Sequence, residues 1–264
     1  TSPFAITFDA VNNRVYVSQS SIHRITTYSG VLSNGMNATN VLGQANFTTS
    51  TTGLTSSKLN VPSGLTADVS GNRLFVVDST NQRVLVYNTS SITNGMAASN
   101  VLGQANFTSN LTPNPPTQSS MYNPQFVDFE PSTNRLFVSE VTNARVNIFD
   151  VSSVVNNEPA ISVLGKPGFI YNGATNSQSG FNNPLGMAID SSNSKIYITE
   201  SGNRRVSLHD ITTVNGRYLI SGNNPPANDM LGQSTNNDGA TLSWVDFGPN
   251  ESARINGLNT PTGV

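Results

Sequence analysis

Apolar and polar residues alternate along most of this chain, in short runs rich in Val, Ile, Leu, Phe and Tyr. No segment keeps a 3.6-residue apolar period over ten residues, so the pattern predicts strands rather than helices. The clearest stretch predicts strands at about 63–68, 73–78 and 83–88, with a fourth near 100–103. We therefore expect an all-β protein.

The strand pattern recurs in four full copies and the start of a fifth. A proline opens each copy, at intervals of 59, 62, 60 and 77 residues: Pro3, Pro62, Pro124, Pro184 and Pro261. A second marker runs in step with it: VLGQANF at 41–47 and 101–107, VLGKPGF at 163–169 and MLGQSTN at 230–236. Four short antiparallel strands in each copy predict propeller blades, whereas an array of Ig-like sandwiches would need about 100 residues per domain.

We predict one propeller domain over residues 1–264. Its repeats are expected at about 1–60, 61–122, 123–182 and 183–259, with a fifth starting at 260–264. Four blades and a fragment of another make neither a closed six-bladed ring nor a tidy four-bladed one. Either the chain is a piece of a longer protein lacking about two blades, or an open arc is completed by another molecule.

Each copy also places an acid and a base five residues apart, around two tight turns rich in Ser, Asn and Gly. Acid and base flank the turn on neighbouring strands, close enough to pair across it or with the adjacent blade. The expected pairs are Asp9–Arg14, Asp68–Arg73, Glu130–Arg135 and Asp190–Lys195 in the first hairpin, and Asp78–Arg83, Glu140–Arg145 and Glu200–Arg205 in the second. With Arg24, the pattern takes up seven of the 15 acids and eight of the 13 bases, so we expect most of the charge to be structural.

The line P-x-G-x-A-x-D…N-R-L-F-V-x-D…N-x-R-V-x-V-Y resembles the NHL repeat, most closely that of long-repeat bacterial proteins with V-L-G-Q between blades. The resemblance covers essentially the whole chain. It implies a β-propeller, commonly six-bladed, in which the first strand of each blade lines the central channel. Copy one departs most, because Gln19 replaces the acid and Ile22 replaces the usual Asn.

Composition narrows the classes of function. A net charge of −2 with 13 Lys and Arg provides no basic surface, so we expect no nucleic-acid partner. The absence of cysteine excludes disulfides and thiolate chemistry. The chain contains no run of 18 apolar residues, so we expect no transmembrane helix. The excess of Asn, Ser and Thr is typical of secreted or cell-surface β-proteins, and any export signal lies outside this numbering.

The sequence contains few candidate catalytic or metal-binding residues. The fourth residue after the marker proline is Thr7, Thr66, Asp128 or Ala188, and Asp128 breaks the pattern. Its carboxylate could hold a channel cation such as a structural calcium, or accept a hydrogen bond from a neighbouring hydroxyl or water. The two histidines, His23 and His209, fall at different repeat positions, and His209 stands where other copies have Tyr or Phe. Related amidating lyases use several channel histidines, and lactonase-like propellers use inner-strand Glu, Asn and Asp; this chain has neither set. We therefore expect no other cofactor and no shared histidine metal site.

Other candidate surface sites lie in loops. Trp244 stands in the long connection 215–259, where it could bind a partner or glycan, or pack over the edge of a blade. Six N-x-S/T sequons are candidate glycosylation sites: Asn37, Asn46, Asn88, Asn106, Asn110 and Asn250.

The sequence favours a non-enzymatic extracellular scaffold that contacts protein or carbohydrate through loops on one propeller face. One alternative is a self-assembling filament or surface-layer component, whose partner is another copy of itself. The other is a metal-dependent hydrolase or lyase with its site in the channel near Asp128.

Overall fold

The computed structural model describes residues 2–211, 213–214, 217–218, 227 and 229–231. These residues form four antiparallel sheets of four strands. Blade 1 consists of β1 Pro3–Asp9, β2 Arg14–Gln19, β3 Arg24–Ser29 and β4 Asn40–Leu42; blade 2 of β5 Pro62–Asp68, β6 Arg73–Asp78, β7 Arg83–Asn88 and β8 Asn100–Leu102. Blade 3 consists of β9 Pro124–Glu130, β10 Arg135–Glu140, β11 Arg145–Asp150 and β12 Ser162–Leu164; blade 4 of β13 Pro184–Asp190, β14 Lys195–Glu200, β15 Arg205–Asp210 and β18 Asp229–Leu231. β16 Thr213–Val214 and β17 Arg217–Tyr218 form a small separate hairpin.

The prediction of an all-β fold built from propeller blades is confirmed. In blade 2 the observed strands differ from the expected bounds by one residue at most. Helical structure in the described residues is limited to two single 3₁₀ turns, Ser20–Ile22 and Ser79–Asn81. No helix in that part of the chain is long or apolar enough to span a membrane. Residues 260–264 and most of the connection 215–259 lie outside the described residues.

The first strands of successive blades lie side by side: β1 contacts β5, β5 contacts β9, and β9 contacts β13. They approach closely at Gly64, where a Cβ atom would lie 2.7 Å from the Cα atom of Phe126. A side chain at that position would displace the backbone of the next blade, which explains the glycine. Three inter-blade loops, 43–61, 103–123 and 165–183, connect the fourth strand of one blade to the first strand of the next.

The hydrophobic core lies between blades rather than within one. We call the side of a blade that packs on the preceding blade its near face, and the opposite side its far face. Between blades 1 and 2, the far-face residues are Tyr16, Ile25 and Leu42, joined by Leu59 from the loop; the near-face residues are Leu65, Leu74, Val76, Leu85 and Tyr87. Corresponding clusters join blades 2 and 3 and blades 3 and 4. The period-2 alternation of each strand supplies both faces, so every blade depends on its neighbours for burial.

Candidate functional site

Asp128 lies on β9 and connects three blades. Its Oδ2 accepts a hydrogen bond from the backbone N–H of Ile189 in blade 4 at 3.1 Å. Its Oδ1 accepts from the N–H of Phe129 at 2.9 Å and lies 3.5 Å from the hydroxyl of Thr66 in blade 2. The side chain that could have faced a channel ligand is therefore engaged with both neighbouring inner strands.

The buried environment of Asp128 disfavours the ionised form of its carboxyl group. Burial raises the pKa of its carboxyl group to about 6, although the hydrogen bonds from Phe129, Ile189 and Thr66 oppose the rise. Within the described residues, no group of three or more His, Asp or Glu side chains is close enough to hold a metal ion. Asp128 alone would offer a cation a single carboxylate, whereas calcium sites use six to eight oxygen ligands.

Arg83 joins the second hairpin of blade 2 to the loops on both sides of the blade. Its Nε donates to Asp78 Oδ2 at 2.8 Å, with neither side chain exposed. Its Nη1 donates to the carbonyl of Phe107 at 2.5 Å, and its Nη2 to the carbonyls of Thr55 and Lys58 at 2.9 and 3.1 Å. The guanidinium fork thus holds the hairpin, the preceding loop and the following loop together.

Blade 3 repeats this arrangement, and blade 4 repeats the hairpin pair and the contact with the preceding loop. Arg145 Nε donates to Glu140 at 3.0 Å and Arg205 Nε donates to Glu200 at 2.8 Å, all fully buried. The loop carbonyls that accept from the other guanidinium nitrogens belong to Thr117, Ser120 and Phe169 for Arg145, and to Ser177 and Gly180 for Arg205. Burial raises the pKa of Asp78, Glu140 and Glu200, and the paired arginines oppose that rise. The repeated acid and arginine therefore organise loops.

Blade 1 keeps the arginine without the acid. Arg24 Nε donates to Gln19 Oε1 at 2.6 Å, and its Nη1 donates to the Phe47 carbonyl at 2.5 Å. The departure of copy one from the pattern thus replaces an ion pair with a neutral hydrogen bond and preserves the contact to the loop.

Bases in the first hairpin connect blades in the same way at the opposite ends of the strands. Arg73 pairs with Asp68 at 2.6 Å and donates to the carbonyl of Val151 in blade 3. Arg14 donates to the carbonyl of Thr89 in blade 2 at 2.5 Å, while Asp9 accepts from Asn12 in its own turn.

The first-hairpin bases of blades 3 and 4 pair with carboxylates that the spacing did not predict, and in blade 1 the expected partners Asp9 and Arg14 bind separate groups. Arg135 forms an ion pair with Asp150 at 2.6 Å, and Lys195 forms one with Asp210. Asp190 instead accepts from the backbone and side chain of Asn193. The reason is register, because the third strand brings a second carboxylate opposite the same base. The sequence contained a signal for this difference, because the position held by Asp150 and Asp210 in blades 3 and 4 is uncharged in the other two blades. Ser29 occupies it in blade 1 and Asn88 in blade 2.

A glutamine of the V-L-G-Q segment was also missed as a structural residue. Gln44 Nε2 donates to the carbonyls of His23 and Thr51, both at 2.9 Å, and Gln104 makes the same pair of contacts in blade 2. Lys166 replaces it in blade 3, donating to the Gly173 carbonyl at 2.6 Å. Burial lowers the pKa of Lys166 to about 8. The sequence signal for this structural role was the recurrence of glutamine at one repeat position, as Gln44 and Gln104.

The inter-blade loops present apolar side chains to solvent. Leu111, Ile170 and Tyr171 are 69%, 62% and 51% exposed. Asn172 Nδ2 donates to Asn114 Oδ1 at 3.2 Å, so loops 103–123 and 165–183 touch. These two loops form a continuous surface, which we call the loop face, on the side where the buried arginines lie.

Comparison with known proteins supports the repeat assignment. A family model described as NHL repeat matches residues 59–87, which contain Asp68, Arg73, Asp78 and Arg83. One copy of the repeat in this chain thus matches the NHL repeat. No curated protein matches it in sequence.

Similar solved structures number 774 chains, so the fold by itself does not select a function. A functionally unknown protein from Desulfotomaculum acetoxidans DSM 771 is 12% identical with a TM-score of 0.51, covering 85% of this chain and 57% of that one. A crystal structure of a nidogen/laminin complex contains a chain that is 17% identical with a TM-score of 0.48, covering 79% of this chain and 60% of that one. The chain therefore matches about 60% of the length of these proteins.

The two histidines of this propeller have separate packing roles. His23 ends the 3₁₀ turn of blade 1 in a left-handed conformation, and its Nδ1 accepts from the N–H of Val61 at 3.1 Å. His209 is fully buried, with its ring edge-on to Phe181 at 5.4 Å and its Nε2 3.2 Å from Ser207 Oγ. It occupies the aromatic position of the repeat, as expected, and is fully buried there.

Five of the six candidate glycosylation asparagines are described, and all are exposed: Asn37, Asn46, Asn88, Asn106 and Asn110. In three of them, the side-chain oxygen accepts from the backbone N–H and hydroxyl two residues on: Asn46, Asn88 and Asn106. These bonds use the oxygen, whereas glycosylation modifies the amide nitrogen. Asn250 and Trp244 lie outside the described residues.

Proposed function

We propose that this NHL propeller is a non-enzymatic scaffold outside the cell that binds a protein or carbohydrate partner through the loop face. NHL propellers generally bind proteins. The observation that carries the proposal is the pairing of fixed loops with exposed apolar side chains. Arg83 and Arg145 hold loops 103–123 and 165–183 by backbone carbonyls, while Leu111, Ile170 and Tyr171 point to solvent.

Such a surface is suited to recognition because its loops are ordered before the partner arrives. Less conformational entropy is then lost on binding. Tyrosine contributes a large rigid contact area for a peptide and a flat ring for a sugar. The side chains that could have done acid–base or metal chemistry are engaged elsewhere, since Asp128 and the hairpin carboxylates accept hydrogen bonds from the scaffold.

Site-specific photo-crosslinking tests this proposal. A benzophenone amino acid at position 171 or 111 is expected to capture a partner from the culture medium or surface fraction of the source cells. The matched control is position 11, because Val11 is 78% exposed but lies in a first-hairpin turn at the other end of the strands. Equal capture from all three positions, or capture from position 11 alone, contradicts the loop face. A glycan array probed with the unmodified chain and with Tyr171→Ala tests the carbohydrate case.

Localisation and the absence of catalysis have their own tests. Fractionation of the source cells should place the natural protein in the medium or at the surface. An enzymatic turnover that is lost in Asp128→Asn, with the fold intact, would replace the scaffold proposal with the metal-dependent hydrolase or lyase.

A further inference from the structure

The residue before the marker proline has a left-handed backbone in blades 2, 3 and 4. Asn123 and Asn183 have φ of 54° and 49°, and Val61 has φ of 55° at the same repeat position of blade 2. Asparagine tolerates this region because its short polar side chain can hydrogen-bond locally, whereas a β-branched side chain is sterically disfavoured there. Val61 therefore depends on its surroundings to keep this conformation.

The peptide group that joins Asn60 to Val61 is held by two different blades. Its carbonyl accepts from the N–H of Thr80 in blade 2 at 3.2 Å. Its N–H, which belongs to Val61, donates to Nδ1 of His23 in blade 1 at 3.1 Å. The N–H of Asn60 donates to Asp78 Oδ1 at 2.6 Å, again in blade 2. His23 is thus the link between blade 1 and the backbone that leads into β5.

The same contact joins blades 2 and 3 through a glutamine. Gln82 is the equivalent of His23, because each follows a 3₁₀ turn in the second hairpin and has a left-handed backbone. Gln82 Oε1 accepts from the N–H of Asn123 at 2.5 Å. The contact therefore lies between one blade and the next along the chain. A glutamine oxygen accepts at every pH, whereas a histidine nitrogen accepts only while it carries no proton.

His23 is partly buried at this junction. The charged groups of the elements packed there are Arg24 on β3, Lys58 in loop 43–61, and the Asp78–Arg83 pair of blade 2. Burial lowers the pKa of His23 below its usual value of 6.5, and none of these four charges contributes to the shift. Folding thus favours the neutral imidazole. The resulting stabilisation is fully present above a pH of about 6.5 and is lost as pH falls through the lower, folded value.

We propose that the hydrogen bond between His23 and Val61 is an acid-sensitive switch that holds the start of blade 2 against blade 1. In the neutral form, Nδ1 accepts from Val61 and the ring proton lies on Nε2. Protonation places a second proton on Nδ1, so two N–H groups face each other and the Val61 N–H loses its acceptor. The sterically disfavoured backbone at Val61 is then released, while Gln82 continues to hold blade 3. The proposal does not depend on the function assigned to the loop face.

Amide hydrogen exchange of the full chain tests the switch. Relative to the intrinsic rate at each pH, the Val61 N–H should exchange roughly three- to tenfold faster at pH 5 than at pH 7.5, because one hydrogen bond is lost. The Asn123 N–H, held by Gln82, should show no such acceleration. His23→Gln is the matched variant, because glutamine makes the equivalent contact in blade 2, and it should abolish the acceleration at Val61.

A second variant separates His23 from the other histidine of the chain. His209→Phe introduces the residue that blade 3 has at this position, Phe149, and should leave the acceleration at Val61 unchanged. In an NMR titration of the unaltered chain, the His23 ring and the Val61 amide should change with the same midpoint, below a pH of about 6.5. An acceleration that persists in His23→Gln overturns the proposal. A Val61 amide that is insensitive to the titration of His23 also overturns it.

Discussion

The guanidinium of Arg83 and the carboxylate of Asp78 lie 2.8 Å apart, and neither side chain has any exposed surface. Removing both charges from water is costly, and their attraction offsets that cost only when the remaining polar atoms are also satisfied. Here they are, since Asp78 also accepts from Asn60 and Asn81, and Arg83 donates to three loop carbonyls. The pair is therefore part of a loop anchor.

Arg83→Lys should destabilise the protein by about 3 kcal/mol, because lysine keeps the charge but cannot donate to the carboxylate and three carbonyls from a planar fork. Urea denaturation measures the loss. Arg24→Lys is the matched control at the same repeat position, where the partner is the neutral Gln19 and the side chain is only partly buried. Its cost should be about 1 kcal/mol. Equal costs at the two positions would argue against the anchor.

Neutralising two different carboxylates of blade 3 should reduce the stability of the protein by different amounts. Glu140→Gln leaves the fully buried Arg145 without a counter-charge and is expected to cost about 3–5 kcal/mol. Asp150→Asn breaks the pair with Arg135, in which Asp150 is 37% exposed, and should cost about 1 kcal/mol or less. Thermal unfolding of both variants checks the ranking, and the reverse order would contradict it.

Asp128 should make the stability of the protein depend on pH. Its pKa is about 6 in the folded state against a usual value of 3.8 for aspartate, so folding favours the protonated form. This contribution is fully present below pH of about 4 and is lost as pH rises through about 6. Asp128→Asn removes the titration and also replaces one accepting oxygen with an NH2 group, so the variant loses a hydrogen bond at every pH but should not lose further stability through this residue between pH 4 and pH 7.

The difference in melting temperature between the two proteins, measured from pH 4 to pH 7, isolates this residue from other carboxylates. The difference should change in favour of the variant as pH rises from 4 to 7, whatever its value at pH 4. A difference that stays constant over this range would show that folding does not favour the protonated carboxyl group.

Gly64→Ala should destabilise the contact between blades 2 and 3. The added Cβ atom would meet the Cα atom of Phe126 at 2.7 Å, and backbone cannot move aside without disturbing the sheet. We expect a loss of about 1–3 kcal/mol, measured by urea denaturation. Gly53→Ala is a comparison for the type of neighbour, because its Cβ atom would meet a loop side chain, Lys58, at 2.9 Å rather than the backbone of another blade, and its cost should be smaller. An unchanged midpoint for Gly64→Ala would mean that the strands are less closely packed.

Much of the fold could be predicted because the same strand pattern recurs in every copy of the repeat. Alternation in 62–68, 73–78 and 83–88 determines which side chains share a face, and the turn residues between them set the hairpins. Ion-pair partners were harder to predict. Lys195 is in register with both Asp190 and Asp210, so spacing alone did not choose between them.

The sequence alone determined the repeat, the strands and the positions of the acids and arginines, because these follow from local periodicity and turn chemistry. The loops to which the arginines bind could be identified only from the tertiary structure. The arginines donate mainly to backbone carbonyls of loops about 25 residues away, and no residue pattern marks a backbone carbonyl as an acceptor. The tertiary structure also decided that the N–H of Val61 is held by His23 of the preceding blade. Such contacts depend on how two blades pack together, and the local sequence of either blade does not specify that packing.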